Sequence, residues 1–364
     1  MRRLMVGAAL AAMLAAGSAR AEEPVLNIYN WSDYIAKDTV AKFEAETGIK
    51  VRYDVYDSND VLEAKLSAGH SGYDLVVPSS SPYLTRMVQA KILLKLDKSK
   101  LTNYGNLDKQ ILASAAVADP GNTYGVPYMW GTTGIGYNVD KVKAALGDKA
   151  PVDSLKLIFD PATAKKLGGC GISLLDTAEE VFPAALAYAG RPPLSREQKD
   201  LERAADIVKA VRPSIKKFHS SQYIDDLANG DICVAFGYSG DVFQAASRAE
   251  EAKNGVHIAY TIPREGAMLW IDQMAIPADA PHPENALKFI NFILRPEIAA
   301  AISNEVAYAN PNAKATKLVD PEIRDNPNIY PTAEVRKRLF FDTPVTPQYE
   351  RLRTRAWTRV KTGT

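Results

Sequence analysis

Strand-like and helix-like segments alternate from the first apolar run onward, and this order constrains the fold more than any other feature. Val25 to Tyr29 reads as a short strand. A helical stretch near Asp38 to Glu46 follows and stops at Thr47-Gly48, with the glycine as a natural residue past a helix end. Ile49 to Tyr56 alternates apolar with polar side chains, as a half-buried strand does. Asn59 is expected to cap a second helix, Asp60 to Ser67, closed by Gly69. Tyr73 to Val77 is a third strand, running into the turn-rich Pro78-Ser79-Ser80-Ser81-Pro82-Tyr83. Such a β-α-β-α-β order predicts a parallel sheet covered by helices. Ligands of these sheets gather beyond the carboxyl ends of the strands, where the Trp31 and Ser79 loops both fall.

The second half has the same style without repeating the sequence. Thr133 to Asn138 reads as a strand leaving the first lobe, and helical patterns follow over Glu179 to Tyr188 and Ser195 to Val211. Asp231 to Tyr238 is a strand, Gly240 to Phe243 opens a helix, and Met268 to Ala275 is another strand. One long amphipathic helix is expected from Pro283 to Ile302. A chain of this length exceeds what one hydrophobic core usually supports, so two domains are expected. No Pro-rich linker or change of composition marks a boundary, as expected of lobes joined by short strand crossovers.

Ahead of the first strand, Arg2-Arg3 form a basic start, Leu4 to Ala16 an apolar run, and Ala19-Arg20-Ala21 an A-x-A cleavage site. Together they predict a secretory signal peptide over residues 1–21, the apolar run being too short to span a bilayer. Its removal, with Arg2, Arg3 and Arg20, takes the formal charge from +1 to −2. Nearly neutral, interspersed charge argues against a nucleic-acid partner, which favours a concentrated basic face. Cys170 and Cys233 are expected to pair in an oxidising compartment, two separately buried thiols being the alternative.

Asn30-Trp31-Ser32-Asp33-Tyr34 closes the first strand with two aromatics, a hydroxyl and a carboxylate, which is poor core material. It suits an organic cation, since aromatic faces attract ammonium groups and a carboxylate completes the charge pairing. Catalytic and cofactor patterns are weak by comparison. His70, His219, His257 and His282 stand far apart, no cysteine pair has metal-ligand spacing, and Gly237 to Asp241 lacks the spacing of a nucleophile elbow. No metal, cofactor or enzymatic activity is expected.

Over essentially all of residues 22–364 the chain resembles the periplasmic polyamine-binding proteins of ABC importers. The likeness is carried by Tyr29 to Ile35, Tyr73 to Ser79, Phe218 to Tyr223, Leu227 to Cys233, Ile262 to Met268 and Arg353 to Thr358. The resemblance implies an α/β, type II periplasmic binding fold, with two lobes joined by crossover strands and the ligand trapped between them by hinge closure. It implies a first lobe of residues 22–133 and 256–303 and a second of 134–255 and 304–364. The implied ligand contacts are Trp31, Ser32, Asp33, Tyr34 and Ser79 from the first lobe, with Trp270 and Asp272 from its returning strand. Glu180, Tyr238, Asp241 and Tyr308 are implied from the opposite lobe or the hinge. Glu180, Asp241 and Asp272 would be the acidic poles for putrescine or spermidine, and the rings would box the methylenes. Each also has a plainer reading: Asp241 as a helix cap, Glu180 as a solvated first-turn acid, Trp270 as core. The resemblance further implies a monomer that delivers its ligand to a membrane permease. A different amine, sugar or iron complex, or a secreted α/β hydrolase, are the alternatives. Tyr238 stands where the family often has tryptophan, Trp270 where putrescine-selective relatives often have phenylalanine, and Thr177 where some spermidine binders carry aspartate. Near-equal binding of the two polyamines is therefore expected.

Overall fold

The computed structural model describes residues 22–363, so the expected signal peptide lies outside the described residues. The first strand β1 (Val25–Trp31) is flanked in parallel by β2 (Lys50–Tyr56) and β3 (Leu75–Val76), each reached through a helix, Thr39–Thr47 and Asn59–Ser67. Gly48 ends the first helix at φ 71°, a left-handed conformation that glycine adopts without a Cβ clash. The second helix is capped one residue earlier than expected: Ser58 accepts from the Val61 N–H, and Asn59 is the first helical residue. That frees the Asn59 side chain to bond Ser79.

Two long strands carry the chain between lobes. In β4 (Gly125–Asn138), residues up to Thr132 pair antiparallel with β9 (Ala267–Ala275). From Thr133 onward β4 pairs instead with β7 (Val234–Tyr238), and from Ile135 also with β8 (Ile258–Thr261). Strands β5 (Ile172–Leu174) and β6 (Ile215–Phe218) extend the second lobe in parallel with β7, giving the order β2-β1-β3-β9-β4-β7-β5-β6. A short β10 (Leu339–Phe340) pairs with the start of β9.

Two apolar clusters hold this frame. One is built from Leu26, Ile28, Phe43, Val126, Met129, Met274, Phe289 and Ile290, the other from Ile135, Phe159, Leu174, Val181, Val234, Phe236 and Trp357. Tyr260 and Ile262 pack in the second cluster, because β8 is zipped to the far end of β4. Val306 and Tyr308 pack in the first. The core thus follows the strand crossovers more closely than the limits at 255/256 and 303/304 that the resemblance implies.

The helix expected from Pro283 to Ile302 is two helices, Pro283–Ile293 and Pro296–Val306. Pro296 has no N–H to continue the first ladder, and it holds Arg295 in extended backbone at ψ 135°. The chain restarts with proline at the first helical position, where its missing N–H costs nothing.

Cys170 and Cys233 are bonded, with Cα atoms 5.5 Å apart. The bridge sits just ahead of the register in which Ile172 of β5 faces Val234 of β7. These strands lead directly to Glu180 and to Tyr238 and Asp241, so the crosslink braces two segments of the site described below. Closing a loop of 63 residues stabilises by roughly 4 kcal/mol in the chain-entropy model. Reduction, or a C170A/C233A double substitution, is expected to lower the denaturant midpoint clearly. An unchanged midpoint would remove this role.

Candidate functional site

A cleft lies between the two clusters, at the carboxyl end of β1 and on the middle of β9. Ten of the eleven expected ligand contacts line it: Trp31, Ser32, Tyr34, Ser79, Glu180, Tyr238, Asp241, Trp270, Asp272 and Tyr308. Asp33 does not. At φ 55° it occupies a left-handed conformation, and its carboxylate meets the Arg248 guanidinium at 2.5 Å. Arg248 also holds Asp225 at 2.7 Å, so Asp33 ties the first lobe to the second outside the cavity. A second chain of ion pairs crosses between the lobes, from the Glu63–Arg86 fork to Glu350, Arg353 and Glu179.

The aromatic residues form a connected box. Trp270 meets Tyr238 and Tyr308 edge-on, at centroid distances of 5.7 and 5.2 Å, and Trp31 meets Tyr238 at 6.4 Å. The Trp31 indole N–H donates to the Val77 carbonyl at 2.9 Å, which fixes the ring against the end of the third strand. Two glycines allow the crowding. A Cβ on Gly131 would come within 2.7 Å of the Trp270 ring, and one on Gly240 within 2.5 Å of the Tyr308 ring. Trp270 also packs into the first core. Its expected roles as core and as site residue are therefore compatible.

Three carboxylates stand among these rings. Asp272 Oδ1 accepts from the Ser79 hydroxyl at 2.6 Å and Oδ2 from the Tyr34 hydroxyl at 2.8 Å. Ser79 is oriented in turn by Asn59, whose amide NH2 donates to its hydroxyl while the amide oxygen accepts its backbone N–H. Asp241 accepts from the hydroxyls of Tyr223 and Tyr308, both at 2.6 Å. It lies inside the helix Ser239–Ala252, whose cap position belongs to Tyr238, so its side chain serves the site and not the helix end. Glu180 is in the first turn of Ala178–Tyr188, and its Oε2 is buried without a hydrogen-bond partner. Burial pushes the Glu180 carboxyl up to about 8, Asp272 to about 7 and Asp241 to about 6. Near neutral pH Asp241 is therefore mostly ionised, Asp272 is divided between its two forms, and Glu180 is mostly protonated.

The cleft wall includes residues that the sequence did not single out, among them Asp60, Tyr83, Glu179 and Asp342. Asp60 reads as an ordinary first-turn acid, Glu179 as its neighbour's double, and Asp342 lies in a stretch with no periodicity. Only the turn-rich run from Pro78 to Tyr83 carried a signal that pointed at Tyr83.

Two α/β lobes joined by paired strands, with a cleft of rings and unpaired carboxylates between them, define a protein that traps a small solute. The chain belongs to the bacterial extracellular solute-binding protein family, whose sequence pattern matches residues 38–332. The family consists of binding proteins, not enzymes. The chain is 55% identical over 361 residues to the putrescine-binding periplasmic protein PotF of Escherichia coli (strain K12), covering 99% of this chain and 97% of that one. It is 53% identical over 361 residues to the putrescine-binding periplasmic protein SpuD of Pseudomonas aeruginosa (strain UCBPP-PA14), covering 99% and 98%. The spermidine/putrescine ABC transporter substrate-binding protein PotD of Streptococcus pneumoniae superposes with a TM-score of 0.75 at 29% identity, covering 93% of this chain and 99% of that one. Among the described residues no helix is long and apolar enough to cross a membrane.

Proposed function

We propose that this protein binds a linear polyamine, putrescine or spermidine, in the cleft and delivers it to the permease of an ABC importer. It would do so in the periplasm, as a monomer, after removal of residues 1–21. The observation that carries the reading is the trio Asp241, Asp272 and Glu180. Asp241 and Asp272 are buried among aromatic rings, Glu180 is half-buried with its Oε2 enclosed, and none has a basic side chain within ion-pair distance among the described residues. A buried carboxylate without a counter-ion is costly, and an ammonium that meets it removes the cost. The rings supply apolar contact for methylenes and cation–π attraction at the ends. Trp31, Ser32, Tyr34, Ser79, Tyr238, Trp270 and Tyr308 are then the positioning contacts, and Asp33 acts through Arg248 as part of closure. β4 and β9 would be the hinge, since both lobes hang on them.

Isothermal titration against putrescine, spermidine, a zwitterionic amine, a neutral sugar and an iron chelate tests the proposal. Binding is expected for the polyamines alone. Saturable heat with the sugar or the chelate, and none with either polyamine, would overturn it.

A further inference from the structure

The two halves of the Cys170–Cys233 bridge differ in burial. Cys233 is 0% exposed, inside the second apolar cluster, whereas Cys170 is half-buried and lines an open hollow on the second lobe. Cys233 does not line that hollow, and the hollow shares no residue with the cleft. Its floor is the turn Gly168-Gly169-Cys170-Gly171, which leads from the helix Pro161–Leu167 into β5. A Cβ on Gly171 would come within 2.9 Å of the Lys216 side chain, so glycine lets that lysine lie against the turn. Three lysines, Lys141, Lys166 and Lys216, stand in the wall against one carboxylate, Asp231. Lys141 Nζ donates to the Gly230 carbonyl, and Lys216 Nζ to the Asp231 carbonyl at 2.8 Å. Both ammoniums are thus held on the loop that leads into Cys233. Each sulfur also lies against a backbone carbonyl oxygen, Cys170 Sγ 3.4 Å from that of Leu167 and Cys233 Sγ 3.4 Å from that of Gly171. A thiol released at either position therefore has an acceptor in place. A disulfide is opened by a thiolate that can reach one of its sulfurs, and positive charge nearby favours that anion.

We propose that Cys170 Sγ is a thiol-exchange site, at which a dithiol reductant opens the bridge and so loosens the cleft. A thiolate of the dithiol attacks Cys170 Sγ in the basic hollow. The new S–S bond forms as the Cys170–Cys233 bond breaks. The electron pair leaves on Cys233 Sγ, which takes a proton and donates it to the Gly171 carbonyl. The second thiol of the reductant then attacks the mixed disulfide, which frees Cys170 as a thiol and leaves the dithiol oxidised. Opening the bridge unties β5, which leads to Glu180, from β7, which leads to Tyr238 and Asp241.

Glutathione, an anionic monothiol, is the probe for the attacked sulfur. The folded mature chain is exposed to it, quenched in acid, alkylated and mapped by mass spectrometry. The glutathione adduct is expected on Cys170 and the alkylated thiol on Cys233. Adducts shared equally, an adduct mainly on Cys233, or adducts formed only in denaturant would overturn the site. C233S and C170S give a second reading, since the remaining Cys170 should react with a thiol-labelling reagent at least about tenfold faster than the remaining Cys233. K166Q/K216Q is expected to slow glutathione by about threefold or more but not the cationic thiol cysteamine. Equal slowing of both would remove the role of the lysines. Putrescine titrations of oxidised and dithiothreitol-reduced protein test the effect on the cleft: Kd is expected to rise by about threefold or more on reduction and to recover on reoxidation. An unchanged Kd would overturn that effect. This readout alone rests on the polyamine reading. If oxidised protein binds no polyamine, that reading fails, while the adduct on Cys170 still decides the exchange site.

Discussion

Replacing Asp272 with asparagine is expected to abolish tight polyamine binding while leaving the fold intact. The carboxylate is 4% exposed, in the middle of β9, and two hydroxyls, of Ser79 and Tyr34, converge on it. An incoming ammonium completes a site that is already organised. Asparagine keeps the shape and one acceptor oxygen but removes the charge, and its NH2 group faces a donor. Breaking one side of a buried ion pair typically costs about 3–5 kcal/mol, so Kd is expected to rise by at least about a hundredfold. Ligand-free D272N should melt close to wild type, because the wild-type carboxyl is already partly neutral near pH 7. A titration giving the wild-type Kd would exclude Asp272 from the ligand's path. A large fall in ligand-free melting temperature would mean that its role is mainly structural.

The sequence made the chemistry of this site more legible than its boundaries. Trp31 and Ser79 come from strand ends, where the alternation of elements and the rule about carboxyl ends locate a ligand without side-chain detail, whereas Asp272, inside a strand, was implied only by the family resemblance. Asp241 and Glu180 are different. Read locally each is an ordinary helix-start acid, and only packing against Tyr223, Tyr308 and the facing lobe makes them buried charges. Asp33 misled for the reciprocal reason. Its neighbours in sequence all line the cleft, but a left-handed backbone directs its carboxylate to Arg248, 215 residues away, and no local pattern encodes that partner. The split of the expected long helix at Pro296 was legible in principle, because the residue before proline leaves the helical region. An unbroken apolar periodicity on both sides concealed it.

Affinity is expected to rise steeply with pH between about 6 and 8. Without ligand, burial holds the carboxyls of Asp241, Asp272 and Glu180 at about 6, 7 and 8, all above their usual values. A diammonium ligand favours the ionised forms, so each acid still protonated must release its proton on binding. The ligand's amines resemble lysine, with a pKa near 10.4, and stay charged throughout this window. Near pH 7 roughly one to two protons should therefore leave per molecule bound. Kd should fall by about a hundredfold or more from pH 6 to pH 8. Titrations in buffers of different ionisation enthalpy count the protons directly, and a heat independent of buffer would sink the prediction. Stability without ligand runs the opposite way. The folded chain holds these protons to higher pH than the unfolded chain does, so their contribution is complete near pH 4 and is lost as pH rises through 6, 7 and 8. Saturating polyamine supplies the missing counter-charge and should cancel that loss. The melting-temperature gap between free and bound protein is accordingly expected to widen from pH 5 to pH 8, and a constant gap would show that the three carboxylates do not titrate with the ligand.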